Sequence, residues 1–442
     1  MDEIPKEKHD HKPLKFPDGF FWGAATSAHQ VEGGNINSDW WDWELHNQPP
    51  DFRSGRACDS YNLYEEDFQI AKDLNQNAHR LSIEWARIEP REGQFDEQEI
   101  DHYKKVLRSL KDKDFKVMLT LWHFTLPKWV ADKGGWENPK TVDYFLRFIG
   151  TVVPHIKEYV DFWITLNEPG VYVVMSYILG EWPPQMKSKV MAAFAYWNLA
   201  QAHKRAYKLL HQLASSKNVG IAHNVQSFSA YHKHSLMEQM AVIMADLVDN
   251  HSFYLLTDNS HDFIGINYYF HHRFNLSKGL IPNLSKGDTD ETTHEVSDLG
   301  WEIHPQGIFD VLTDLKDHKP IYITECGIAS TNDDRRTRFL IGYLQEVFHA
   351  IEEGVPVKGF FYWSLLDNFE WHRGFEPRFG LVEIDYTNQK RRIRPSAYVY
   401  SEIAKSNSIP HHFLRLLGHT INAKDVLCYK HNGPKALCGH IY

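Results

Sequence analysis

Two glutamates occupy positions at which a carboxylate can act on a substrate. Glu168 closes the run in Phe162-Trp-Ile-Thr-Leu-Asn-Glu-Pro169, and Glu325 closes the run in Pro320-Ile-Tyr-Ile-Thr-Glu-Cys-Gly327. Each run is short, apolar and supplied with β-branched residues, the composition of a buried strand. The first ends abruptly, because Asn167 and Glu168 are polar and Pro169 has no N–H to continue a ladder. A carboxylate so placed sits on the rim of a sheet, at the carboxyl end of its strand. Two of them facing one cleft form the pair that cleavage of a glycosidic bond requires, one protonated and one ionised.

Both rims must belong to one scaffold. Apolar runs recur at 20–28, 78–85, 116–123, 159–168, 218–225, 262–269, 320–327 and 357–367. Helical periodicity fills the intervals at 64–74, 100–111, 141–157, 190–213 and 335–352, and a last helix is expected at 396–405. Strand and helix alternating through eight such runs predict an α/β fold, a single (β/α)8 TIM barrel. In that fold functional groups lie at the carboxyl ends of the strands. The ends of these runs carry Gln30, His123, Asn167, Asn267 with Tyr269, and Trp363 with Glu370, besides the two glutamates.

The flanks differ from this pattern. Residues 1–15 form a polar arm, expected to be mobile. The barrel domain is expected over 16–409. The extension 410–442 holds Cys428, His431, Cys438 and His440, whose spacing is not that of a standard zinc site, and no role is assigned to it.

Bulk composition excludes several classes. With 42% apolar and 24% charged residues the 442-residue chain is globular rather than disordered. A net charge of −10 leaves no basic surplus to neutralise phosphates, so a nucleic-acid partner is not expected. Neither a signal-peptide core nor an apolar run of transmembrane length is present, and four cysteines are too few for a disulfide scaffold. A cytoplasmic location without membrane contact is therefore expected. Histidines are many, but no His-Glu-x-x-His or comparable cluster occurs, and a metal is not expected. His271-His272 and His411-His412 read as surface pairs, and Trp22, Trp40, Trp41, Trp43 and Trp85 as packing residues.

The ordered motifs resemble those of glycoside hydrolase family 1, the β-glucosidase family, from Phe16 to about Asn407. They include Phe20-Phe-Trp-Gly-Ala-Ala-Thr-Ser-Ala28, Gln30-Val-Glu-Gly33, Arg80-Leu-Ser-Ile-Glu-Trp85, His123-Phe-Thr-Leu-Pro127 and Asp262-Phe-Ile-Gly-Ile-Asn-Tyr-Tyr269. Thr165-Leu-Asn-Glu-Pro169, Ile323-Thr-Glu325 and Trp363-Ser-Leu-Leu-Asp-Asn-Phe-Glu-Trp371 complete the set. The resemblance implies Glu168 as general acid/base and Glu325 as nucleophile of a retaining, exo-acting β-glucosidase without metal or organic cofactor. Arg80, Asn267 and Tyr269 would support the nucleophile. Gln30, His123, Asn167, Glu370 and Trp371 would read sugar hydroxyls, Trp363 would stack beneath the ring, and Trp301 would line the leaving-group side. Substrates would be small β-glycosides or short oligosaccharides of gluco, galacto or fuco type. A transglycosylase using the same intermediate and a non-catalytic sugar-binding barrel are the alternatives. The chain departs from the family pattern at His29, usually Tyr, and at Cys326, usually Asn; Cys326 is expected to tune or sensitise the nucleophile beside it. The interval 226–261 is shorter than usual, which predicts a more open leaving-group side.

Overall fold

The computed structural model describes residues 13–417, except 216, 259, 277–294 and 317–318. Eight parallel strands close a barrel: β1 (Phe21–Ala25), β2 (Ala78–Ser82), β3 (Lys116–Thr120), β4 (Phe162–Asn167), β5 (Asn218–Ala230), β6 (Phe263–Phe274), β7 (Ile321–Cys326) and β8 (Val357–Trp363). Each pairs with the next in sequence, and β8 pairs with β1 through Phe21↔Gly359 to Ala25↔Trp363. One principal helix follows each strand: α1 (Ser60–Asp73), α2 (Glu97–Asp112), α3 (Lys140–Ile156), α4 (Lys189–Leu213), α5 (Leu236–Asp246), α6 (Pro305–Asp314), α7 (Asp333–Glu352) and α8 (Pro395–Ser406). The (β/α)8 expectation holds.

Local chemistry explains the elements. In α2 the Asp96 carboxylate accepts from the backbone N–H groups of Gln98 and Glu99, and Ile100, Tyr103, Leu107 and Leu110 form its buried stripe. Asn332 caps α7 in the same manner. Inside the barrel, aromatic side chains from the first residues of the strands make a plug. Phe162 meets Phe21 and Phe263 edge-on, with ring centroids 5.6 and 5.7 Å apart, and Tyr322 lies 5.2 Å from Phe162. Gly220 makes room for the Phe263 ring, since a Cβ there would overlap it. The plug seals the amino-terminal end, so the carboxyl end is left for a site.

Three expectations change. β5 and β6 run beyond the barrel rim to Ala230 and Phe274, paired as far as Ala230↔Phe274. Asn267 and Tyr269 therefore sit mid-strand and not at a strand end. α5 and α6 lie in intervals where the sequence reading named no helix. His271 and His272 are buried, not a surface pair; His271 bonds Glu302 through Nδ1 at 2.8 Å and Ser229 through Nε2 at 2.9 Å.

The end of the amino-terminal arm is anchored, because Leu14–Lys15 pairs antiparallel with Ser408–Ile409. The first part of the carboxyl-terminal extension forms a short helix, His411–Leu414, with Leu414 and Leu417 packed on the core. Cys428, His431, Cys438 and His440 lie outside the described residues. Among the described residues no helix is long and apolar enough to cross a membrane.

Candidate active site

Glu168 leaves the end of β4 in a left-handed conformation, φ 42° and ψ 59°, with Pro169 opening the short helix Pro169–Val173 behind it. A non-glycine residue pays for that backbone geometry in strain, and here the turn aims the carboxylate across the barrel mouth. Glu325 is the penultimate residue of β7, and β6 places Asn267 directly beside it in register. Both carboxylates are at least nine-tenths buried.

A single cation organises the floor. Arg80, projecting from β2, donates through Nη1 to Glu325 Oε1 at 2.5 Å and through Nη2 to Asn167 Oδ1 at 2.6 Å. Its remaining donors reach Thr120 Oγ1 and the Thr324 carbonyl, which fixes the guanidinium plane. Tyr269 donates to Glu325 Oε2 at 2.7 Å. Asn267 donates to Glu168 Oε1 at 2.9 Å and to Asn167 Oδ1 at 3.1 Å, while its own carbonyl accepts from Thr324 Oγ1. With its oxygen committed to two donors, Asn167 turns its Nδ2 toward His123 Nε2, 3.2 Å away.

The two carboxylates thus differ in electrostatic setting. Burial pushes Glu168 up to about 8, and the negative charge of Glu325 adds to that rise. Burial also raises Glu325, but Arg80, Tyr269 and Asn267 all hold it back. When one proton is shared between the pair, it resides on Glu168. Burial together with Arg80 holds His123 well below the usual imidazole range, so the ring is neutral. Burial, with Glu325 as the second cause, takes Glu370 up to about 8.

One cavity collects Gln30, His123, Asn167, Glu168, Tyr269, Trp301, Glu325, Trp363, Glu370 and Trp371. Arg80 and Asn267 lie beneath them as partners of the carboxylates. Gln30 donates to the Phe369 carbonyl at 2.8 Å and to Glu370 at 3.4 Å, which holds the loop after β8 over the site. His123 lies parallel to Trp363, 6.1 Å between centroids. Trp301 packs on Phe270 at 4.4 Å and closes the opposite wall.

The two departures have separate settings. His29 stacks parallel on Trp371 at 5.6 Å and contacts Glu44 at 2.9 Å and Asn35 at 3.1 Å. Burial disfavours its charge, yet hydrogen bonding to Glu44 and its charge outweigh that, and the imidazole is pushed up. Cys326 alternates away from Glu325 into the layer between strands and helices, fully buried, and burial pushes its thiol well up. It packs in the buried core behind the strand.

Sequence reading missed Trp182, Phe124 and Thr324. Trp182 lines the cavity, lies 5.6 Å from Trp371 and donates to His372 Nδ1 at 2.8 Å. Nothing near it in the sequence signals that role. Thr324 lies within Ile323-Thr-Glu325, but its hold on Asn267 is visible only across strands. Trp22, Trp40, Trp43 and Trp85 are buried as expected, and Trp40 also supports Trp371 at 4.7 Å.

Two clusters among the described residues could offer three metal ligands, His271 with Glu302 and His304, and Asp246 with His251 and Asp314. In the first, Glu302 already accepts from His271 and from Arg273 at 2.7 Å. In the second, hydrogen bonds to Asp246 and Asp314 push the His251 imidazole up to about 10.

The sequence profile described as Glycosyl hydrolase family 1 matches residues 12–253 and 227–409. The chain belongs to glycosyl hydrolase family 1. Beta-glucosidase A of Thermotoga maritima is 32% identical over 448 aligned residues, covering 89% of this chain and 99% of that protein. A beta-glycosidase structure from Pyrococcus horikoshii matches with a TM-score of 0.83 at 37% identity, covering 92% of this chain and 99% of that one. A Thermotoga maritima beta-glucosidase in complex with deoxynojirimycin matches with a TM-score of 0.81 at 31% identity, covering 90% of this chain and 100% of that one. Glu168 and Glu325 both lie within the residues that the family profile matches.

Proposed function

We propose that this chain is a retaining, exo-acting β-glucosidase that hydrolyses non-reducing-end β-glycosides through a covalent glycosyl-enzyme. The observation that carries the reading is the unequal setting of the two carboxylates. Glu325 has a guanidinium and a phenol bonded to its two oxygens, whereas Glu168 has an amide and a neighbouring anion. The first setting suits a nucleophile and the second a general acid.

Glu325 attacks the anomeric carbon while Glu168 gives its proton to the departing glycosidic oxygen. Once Glu325 is esterified its charge is gone, and the second cause of the Glu168 rise goes with it. Glu168 then takes a proton from water, which opens the ester and releases the sugar with its original configuration. Asn267 supports retention, because its amide bonds Glu168 and also lies against Glu325, and retaining enzymes hold their carboxyl groups only ~5 Å apart. Asn167, held by Arg80 and Asn267, is placed to bond the sugar 2-hydroxyl. Gln30, His123, Glu370 and Trp371 read the other hydroxyls, and Trp363 offers a face to the ring. No step calls on a cofactor.

Proton NMR of an aryl β-glucoside in the first minutes of turnover tests the proposal. β-Glucose formed before mutarotation is expected. First-formed α-glucose would mean inversion and would remove Glu325 from the nucleophile's role. Sugar transferred chiefly to a second glycoside would make the chain a transglycosylase. Undiminished sugar binding with no turnover would leave a binding barrel.

A further inference from the structure

Of the two departures from the family pattern, His29 is the one in contact with residues that line the cavity. It precedes Gln30 on the short helix Ala28–Val31 and is 1% exposed. Buried imidazole nitrogens need partners, and both of these have one. Nε2 lies 2.9 Å from Glu44 Oε1, and Nδ1 lies 3.1 Å from Asn35 Nδ2. Those partners are themselves held. Glu44 accepts from the Ser54 N–H and from the Ser54 hydroxyl, each at 2.7 Å, and Asn35 donates to Glu84 at 2.7 Å. The imidazole plane is therefore pinned at both of its nitrogens.

The ring meets the loop that carries Glu370. Trp371 lies parallel to the imidazole, 5° between planes with centroids 5.6 Å apart, and Phe369 meets it edge-on at 5.9 Å. His29 thus contacts the residues on either side of Glu370. Trp371 needs such support. Its φ is 53°, a left-handed conformation that a bulky residue keeps only where its surroundings over-determine it. Trp40, Phe124 and Trp182 also pack on the indole, but at tilts of 38° or more. Other site residues are set without His29. Ser27 donates to Gln30 Oε1 at 2.6 Å, and Asn167 has its own supports in Arg80 and Asn267.

We propose that His29 is a positioning residue: its pinned imidazole holds Trp371 and Phe369, keeps Glu370 between them, and so sets which sugar hydroxyls the cavity requires. This rests on the reading of Glu370 and Trp371 as hydroxyl readers. His29 does not itself line the cavity and acts only through residues that do.

Calorimetric binding of phenyl 1-thio-β-glucoside and its 2-, 3-, 4- and 6-deoxy analogues tests the role without turnover. The unaltered protein is expected to bind the deoxy compounds at least about ten-fold more weakly than the full sugar. His29→Ala keeps the penalty at the 2-hydroxyl, which Asn167 would bond, and loses about ten-fold of it at one or more of the other three. His29→Phe returns a flat ring without the bonds to Glu44 and Asn35, and its penalties fall between those of His29→Ala and the unaltered protein. Adding Glu370→Gln to His29→Ala costs less than Glu370→Gln does alone, because a displaced Glu370 has little left to lose. Should His29→Ala fail to fold, His29→Phe must show the selective loss by itself. Unchanged penalties in the His29 variants overturn the proposal, as do strictly additive losses. A loss shared equally by all four positions also overturns it, since that would make the ring a packing group only. The two readings fail separately: a selective loss without hydrolysis of any aryl β-glucoside upholds the role of His29 and refutes the glucosidase, and hydrolysis with unchanged penalties does the reverse.

Discussion

At the scale of single residues, the site depends on one carboxylate setting the proton affinity of another. The proposed glycosylation step needs Glu168 protonated and Glu325 ionised. The value of kcat/KM is therefore expected to fall as pH rises through about 8, where Glu168 loses its proton, and to fall again at low pH as Glu325 gains one. Glu325→Gln separates the two causes of the Glu168 rise. Carbon NMR titration of labelled glutamates is expected to show Glu168 moving down from about 8 while staying above the ordinary range, since burial is the larger cause and persists. Turnover should drop by roughly 10⁴-fold or more. An unmoved Glu168 titration would mean that Glu325 is not the anion it senses. Cys326 teaches the complementary lesson. It adjoins Glu325 in the chain, yet successive strand residues face opposite ways, and its thiol lies in the buried layer behind the strand while the carboxylate faces the cavity.

Among the elements, the junction of β7 and β8 leaves least freedom. Gly327 follows β7, and a Cβ there would overlap the Trp363 carbonyl oxygen at the end of β8. Gly327→Ala is expected to cost roughly 1–3 kcal/mol in denaturant unfolding. The same change should lower kcat/KM about 100-fold by shifting Trp363, the side chain proposed to stack on the sugar ring. Kinetics that stay normal would show that Trp363 does not position the sugar. Strand ends bearing site residues were legible in the sequence because burial and polarity change within one or two positions there, as at Leu166-Asn167-Glu168. The extensions of β5 and β6 were not. Residues 227–230 alternate through only four small or aromatic positions and 271–274 are mostly basic, so neither stands out as a buried strand, and their mutual hydrogen bonding is what defines them. α5 escaped for a related reason. Its apolar residues do recur at helical spacing, but Leu236, Met240 and Ile243 face outward, so the pattern names a helix and misplaces its face.

For the molecule as a whole, closure depends on the two ends of the described chain. Asn407 terminates α8 with φ 50°, accepts from Trp22 Nε1 at 2.9 Å, and donates to the carbonyls of Phe16 and Pro17. Asn407→Ala loses these bonds and an easily tolerated left-handed conformation, and is expected to lower stability by about 2–4 kcal/mol in denaturant unfolding. Asn407→Gly keeps the backbone geometry and should lose less; equal losses would mean that conformation contributes nothing. The sequence reading saw a loose arm at one end and an unassigned extension at the other, since pairing between residues so far apart leaves no periodic trace. Leu14 faces Ile409 and Lys15 faces Ser408 in antiparallel register. That pair is a β-hairpin lacking only its turn, so the barrel has a cyclic order of strands and no structurally privileged first one. A circular permutant, joined across that gap and opened at a loop on the plugged end, would carry Glu168 and Glu325 to the same rim from a different starting point.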